Sequence, residues 1–226
     1  MKRTFGFAVA AALLFSGLMV SPSQGAAPKA NPPKCTKSKA LPHDPLKVVQ
    51  PTKSLKALPR TITFATNCGD IVVETVGKKA PVTITALTTL AKAGYFDQSI
   101  CHRLTTQGLF VLQCGDPTAS ASGSPTGWKG YIDENLPIGK VITYPAGTVA
   151  MANSGPNTNG SQIFFVFGDS TLQPNYTVWG KITSGLDTLI SIASLGAVQP
   201  DGKGQYVYAP DGFPVQLVAI EKVTIK

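Results

Sequence analysis

The chain has 226 residues, 20 of them Lys or Arg and 12 Asp or Glu, for a formal charge of +8. That length allows one domain or at most two. The excess charge sits between residues 26 and 60, where Lys29, Lys34, Lys37, Lys39, Lys47, Lys53, Lys56 and Arg60 face Asp44 alone. From 61 onward 10 basic residues meet 11 acidic ones, so the bulk of the chain carries no basic patch and nucleic-acid binding is excluded. Lys2 and Arg3 precede an uncharged, mostly apolar run of sixteen residues, Phe5 to Val20, and a small-residue stretch, Ser21 to Ala27. This is the layout of an export leader at 1–25, cleaved after Gly25. The alternative is an uncleaved N-terminal membrane anchor, for which the run falls short of the roughly 20 residues that span a bilayer. Residues 26–60, rich in Lys and Pro, read as an extended, solvated tail. Its charge also suits contact with an anionic cell envelope.

Thr61–Thr66 alternates, turns at Asn67-Cys68-Gly69-Asp70 and continues as Ile71–Val76, so a hairpin is predicted. Ala80-Pro81 starts a helix with proline in the first turn, and Gly94 ends it after Lys92. Two strands, Ile100–Leu104 and Phe110–Gly115, follow. Residues 115–146 read as irregular. Gly147–Ala152 and Ile163–Val166 are apolar runs of strand length flanking Asn153 to Gly160, a loop of turn-forming residues. That loop displays neutral amides beside aromatic rings. It suits a peptide backbone and an apolar ring, and it does not suit phosphate, metal or proton chemistry. Tyr176–Ile182 is a further strand, Ser184–Leu195 a second helix and Val215–Ile225 a closing strand. The even cysteine count, Cys35, Cys68, Cys101 and Cys114, favours disulfides in an exported chain. Three pairings are possible. Free buried thiols are the alternative. Metal binding is disfavoured, because there is no C-x-x-C pair and His43 and His102 complete no ligand set.

Two segments carry more than turn chemistry. MANSGPNTNGSQIFF, from Met151, and CHR followed by GLFVLQCGDP, from Cys101, closely resemble the two signatures of the cyclophilins, a family of peptidyl-prolyl cis-trans isomerases. The resemblance covers Thr61 to Lys226. It implies an isomerase domain at 61–226. Its fold would be mainly β, a closed eight-stranded antiparallel barrel capped by two α-helices, with Tyr131–Asn135 as a short acidic strand. It implies Arg103, Phe110 and Gln113 as catalytic residues. Val111, Ala152, Asn153, Gln162, Phe164, Leu172 and Tyr176 would bind substrate. It also places Cys101 and Cys114 nearly opposite each other on neighbouring strands, leaving Cys35 to pair with Cys68. Neither a cofactor nor a metal is implied. The partners would be proline-containing polypeptides, and we expect a monomer.

The chemistry asked of these residues is modest in kind. The bond before proline rotates over a barrier of about 18–20 kcal/mol. Twisting makes the proline nitrogen basic, so a fixed cation aimed at it favours the twisted form over either planar one. Arginine stays charged and presents a rigid fork. The bland alternative for Arg103 is a surface ion pair with Asp116. A general-base role for His102 is rejected because no proton is transferred, and Ser161 lacks the surroundings of a nucleophile. Three departures from the family pattern stand out. Arg103 and Phe110 are two residues further apart than usual, which predicts an enlarged Thr105-Thr106-Gln107 turn. Val111 replaces a common methionine. Thr171 and Tyr176 replace Trp and His, which predicts weak binding of the cyclic peptide cyclosporin with turnover retained. Residues 119–130 read as a loose loop in which Trp128 has no assigned partner. The competing function is a binding or adhesion module that holds proline peptides without turning them over.

Overall fold

The computed structural model describes residues 31–226, so the expected leader and its cleavage point lie outside the described residues. Strand β1 (Thr61–Thr66) pairs antiparallel with β2 (Gly69–Thr75). Their alternation sends Ile62, Phe64, Ile71 and Val73 into the core. Helix α1 (Pro81–Lys92) begins at its proline and buries eight of its twelve residues. Ala80, at its start, has no side chain to cap the free N–H groups. The carboxylate of Glu134 does so instead, accepting from the N–H of Val82 at 3.1 Å and of Thr83 at 2.8 Å. This overturns the short acidic strand expected at 131–135. Only a single bridge, Tyr131 to Asn159, forms there. Asp133 turns to accept from the N–H of Asn157 and the side-chain amide of Asn159.

Next come β3 (Ser99–Ile100), β4 (Arg103–Gln107) and β5 (Leu109–Cys114). The expected enlarged turn is absent. Thr105, Thr106 and Gln107 are strand residues opposite Val111, Phe110 and Leu109, and the chain reverses at Gly108, whose φ is +68°. The added residues lengthen the hairpin. Then follow β6 (Ile142–Tyr144), β7 (Thr148–Met151), β8 (Ile163–Val166), β9 (Ser170–Leu172) and β10 (Val178–Ser184). Helix α2 is shorter than expected, Leu186–Ala193. The chain ends with β11 (Ala197–Pro200), β12 (Tyr206–Ala209), β13 (Asp211–Pro214) and β14 (Ala219–Ile225).

The fold is mainly β with two helices, as expected, but one sheet holds twelve strands in the order β12-β11-β13-β4-β5-β8-β7-β10-β2-β1-β14-β3, and β6 pairs with β9 separately. Strands β11 to β13 were not anticipated. They add to the sheet because β13 pairs with the lengthened β4, Asp211 opposite Thr105 and Gly212 opposite Leu104. The main core packs Phe64 against Phe165 and Trp179, with ring centroids 5.3 and 6.4 Å apart. A second, smaller cluster joins Val111, Tyr144, Ala150, Phe164 and Val166, with Leu109, Leu172 and Tyr176 packed at its margin.

Residues 31–60 contain no helix or strand, in keeping with an extended reading, but they are fastened along the domain. Cys35 and Cys68 are at disulfide distance, 2.04 Å between sulfurs, and Thr36 and Asn67 exchange hydrogen bonds beside them. Ala40 is buried. The N–H of His43 donates to the Pro117 carbonyl, and the indole N–H of Trp128 donates to the Val48 carbonyl at 2.7 Å. Trp128 therefore has its partner in the tail. Composition underrated this packing because the contacts use the tail's backbone groups, polar side chains and one disulfide, and need few large apolar residues. No described helix is long and apolar enough to cross a membrane.

Candidate functional site

The site grows out of strand alternation. On β5, Leu109, Val111 and Gln113 face the second cluster, whereas Leu112 and Cys114 face the main core. On β8, Phe164 stands opposite Gln113, and on its other side opposite Ala150 of β7. Phe164 is nearly buried and meets the rings of Tyr176 and Tyr144 edge-on at 5.4 and 6.5 Å. Beyond the end of β7, Ala152 and Asn153 close one side, and Leu172 at the end of β9 closes another. Together with Arg103 these residues line a cavity of about 150 Å³. Pockets for drug-sized ligands run to roughly 300–1,000 Å³, so this smaller space fits a single small ring.

A row of side-chain hydrogen bonds runs along the rim. Arg103 Nη1 donates to Gln113 Oε1 at 3.3 Å, and Gln113 Nε2 donates to Gln162 Oε1 at 2.8 Å. Gln162 Nε2 donates to the carbonyls of Ala121 and Gly123, both at 3.0 Å. Asn153 is oriented by donation from Nδ2 to the Asn175 carbonyl at 2.8 Å. Asp116 builds the loop that receives Gln162. Its carboxylate accepts from Thr118 N–H, from the hydroxyls of Thr118 and Ser120 and from Gly123 N–H. Burial pushes the Asp116 carboxyl up, but the hydrogen bonds from Thr118 and Gly123 outweigh it and hold the group below its ordinary value. The first part of the segment read as loose is thus organised around one carboxylate.

Eight of the ten expected site residues line this one cavity: Arg103, Val111, Gln113, Ala152, Asn153, Phe164, Leu172 and Tyr176. Gln162 lines an adjoining polar cavity of about 140 Å³, which shares Gln113, Ala152 and Asn153. Phe110 is the exception. It is absent from both linings, packs with the main core and meets Phe167 edge-on at 6.0 Å. Phe110 and Gln113 lie three apart on one strand, and period-2 alternation puts them on opposite faces. Leu109 takes the cavity position that Phe110 was expected to hold. Thr171 is exposed and outside the lining.

The second residue missed is Asp211. Arg103 does not pair with Asp116. Its Nε and Nη2 donate to the two carboxylate oxygens of Asp211 at 2.8 and 2.7 Å. That hydrogen-bonded partner, partly offset by burial, raises the Arg103 pKa further and keeps the group charged. In sequence, Pro210-Asp211-Gly212 reads as a turn, so nothing local marks Asp211. His102 is buried, and that burial lowers its pKa against the opposing pull of Asp116. The Ser161 hydroxyl donates to the Gly115 carbonyl at 2.7 Å, so the pair makes no nucleophile and base. Cys101 and Cys114, 2.00 Å apart at sulfur, tie the start of the Arg103 strand to the end of the Gln113 strand. Among the described residues no cluster of three metal-ligating side chains exists.

Residues 61–225 match the family described as cyclophilin type peptidyl-prolyl cis-trans isomerase/CLD. The chain belongs to the cyclophilin family. Proteins named probable peptidyl-prolyl cis-trans isomerase B from Mycobacterium tuberculosis are 38% identical over 205 residues, covering 81% of this chain and 62% of theirs. The Mycobacterium leprae protein of the same name is 41% identical over 172 residues, covering 72% of this chain and 55% of its own. The chain thus spans about six tenths or less of the length of these relatives. A crystal structure of a Cryptosporidium parvum cyclophilin type isomerase superposes with a TM-score of 0.58 at 26% identity, covering 74% of this chain and 98% of that one. A second structure of that protein was determined in the presence of the dipeptide Ala-Pro, with a TM-score of 0.57.

Proposed function

We propose that this cyclophilin is a peptidyl-prolyl cis-trans isomerase that assists the folding of exported proteins. The observation that carries the reading is a ring-sized apolar cavity with a permanently charged, oriented guanidinium at its rim. A proline ring seated against Phe164, Val111, Leu109 and Leu172 is held still. Gln113, Gln162 and Asn153 offer amides to the backbone on either side. The acyl part then rotates while Arg103 donates to the proline nitrogen as it becomes pyramidal. One charge-assisted hydrogen bond contributes roughly 1.5–3 kcal/mol, so fixation of the ring must supply the rest of the acceleration. The fold supports a closed barrel as well. β3, last in the sheet order, runs through Cys101 and His102 into β4, and Cys101 N–H donates to the Val218 carbonyl of the segment leading into β14.

The export part of the proposal rests on two cysteine pairs at bonding distance, which persist in oxidising compartments. The protein acts as a monomer, the basic tail faces an anionic envelope, and cyclosporin binds weakly because Thr171 lacks an indole. The measurement that tests the central reading is cis-to-trans conversion of an Ala-Pro-Phe peptide. Catalysed conversion is expected. Peptide binding without conversion would leave the family's fold serving as a holding module.

A further inference from the structure

The Arg103–Asp211 contact is the only salt bridge among the described residues. It is not where an ion pair contributes to stability. The two side chains are 38% and 51% exposed, and pairs so open to water are screened and contribute little. What the contact does is geometric. Two parallel N–H···O bonds occupy the Nε and Nη2 edge of the guanidinium, and Gln113 takes one N–H of Nη1. Of the five N–H groups of the fork, three are held and two remain, one on each terminal nitrogen. Arg103 lines the ring-sized cavity and Asp211 does not, so the carboxylate grips the guanidinium from outside the space the substrate enters.

Asp211 is itself held firmly. Strand β13 pairs with β4 on one side and β11 on the other. Thr106 donates to the Pro210 carbonyl through both its N–H and its hydroxyl. A Cβ on Gly212 would run into the Val198 carbonyl, so a side chain there would push β13 out of place. A free arginine side chain samples many rotamers, and a reacting group misplaced by an ångström loses much of its effect.

Resting on the isomerase reading above, we propose that Asp211 is a positioning residue for the isomerisation step, fixing the Arg103 guanidinium so that its two remaining donors face the proline nitrogen. Strands β11–β13 and the long β4–β5 hairpin bring it there, since β13 pairs with β4 at Thr105 and Leu104.

The test is exchange NMR of an Ala-Pro-Phe peptide with the full chain, which separates the on-enzyme isomerisation rate from peptide affinity. Asp211→Ala should slow the on-enzyme rate about tenfold while affinity stays within about twofold and the melting temperature is unchanged. Asp211→Asn should be as slow, because whichever way its amide sits, the NH2 faces one of the two arginine donors, Nε or Nη2. Asp211→Glu should recover most of the rate. An Asp211→Ala enzyme as fast as the wild type, or faster, would overturn the proposal. So would a loss confined to affinity, or a slowed, destabilised protein whose rate Asp211→Glu does not restore. A wild-type chain that binds the peptide without exchange would instead remove the isomerase reading, and this proposal with it.

Discussion

The two sides of the cavity are built differently. The apolar side is sheet: Val111, Ala150, Phe164 and Val166 are nearly buried, each on a strand with neighbours on both sides. The polar side is a row in which Arg103 and Gln162 are partly exposed and Gln113 between them is buried, with its two ends anchored far away in sequence, by Asp211 at one end and by the Asp116 loop at the other. On the apolar side, binding and stability share the same atoms. At the Arg103 end of the polar side they separate, since a half-exposed hydrogen bond can be lost with little cost to the fold.

This difference can be broken from either side. Phe164→Ala should be the most severe change, costing about 3–5 kcal/mol of stability along with peptide affinity, because the ring is at once wall and core. Denaturant melts and peptide titration check it, and full stability with lost affinity would mean that the wall is not core. Arg103→Ala should lower kcat/KM by about 10²-fold or more with unchanged circular dichroism and melting temperature. Near-normal turnover in that variant would sink the proposed mechanism.

The loop end of the polar row is reached through pH. Asp116 has a folded pKa below its unfolded value of about 3.9, so its contribution is fully present above that value and is lost as pH falls through the folded pKa. Asp116→Asn should therefore melt below the wild type at neutral pH, and the gap should narrow as pH drops below about 4. A constant gap across that range would remove Asp116 from the account of the loop. The smallest effect is expected at the rim. Thr171→Trp should raise cyclosporin sensitivity about tenfold with little change in turnover, because an indole adds a donor and apolar cover outside the ring cavity. Tight inhibition of the wild type would show that Thr171 does not matter.

Legibility followed the range of the interactions. The β1–β2 hairpin, the start of α1 at Pro81 and the strand-loop-strand of the Met151 segment follow from turn residues and local alternation, and the structure has all of them. The family's motifs carried eight residues into one cavity. Phe110, expected at the site, lies outside the cavity lining, as period-2 alternation along β5 puts a residue three before Gln113 on the other face. Other features had no local trace. Glu134 caps a helix about fifty residues before it, Val48 receives the indole of Trp128, and Asp211 reaches Arg103 across 108 positions. By itself the sequence determined the β1–β2 hairpin, the motif strands and the chemical character of the pocket, because backbone propensity and side-chain period act within a few residues. Only the tertiary structure decided which carboxylate holds the arginine and that the tail lies along the domain. Those contacts depend on how strands distant in sequence come into register, and an exposed Asp beside a Gly looks the same in a turn as at an active site.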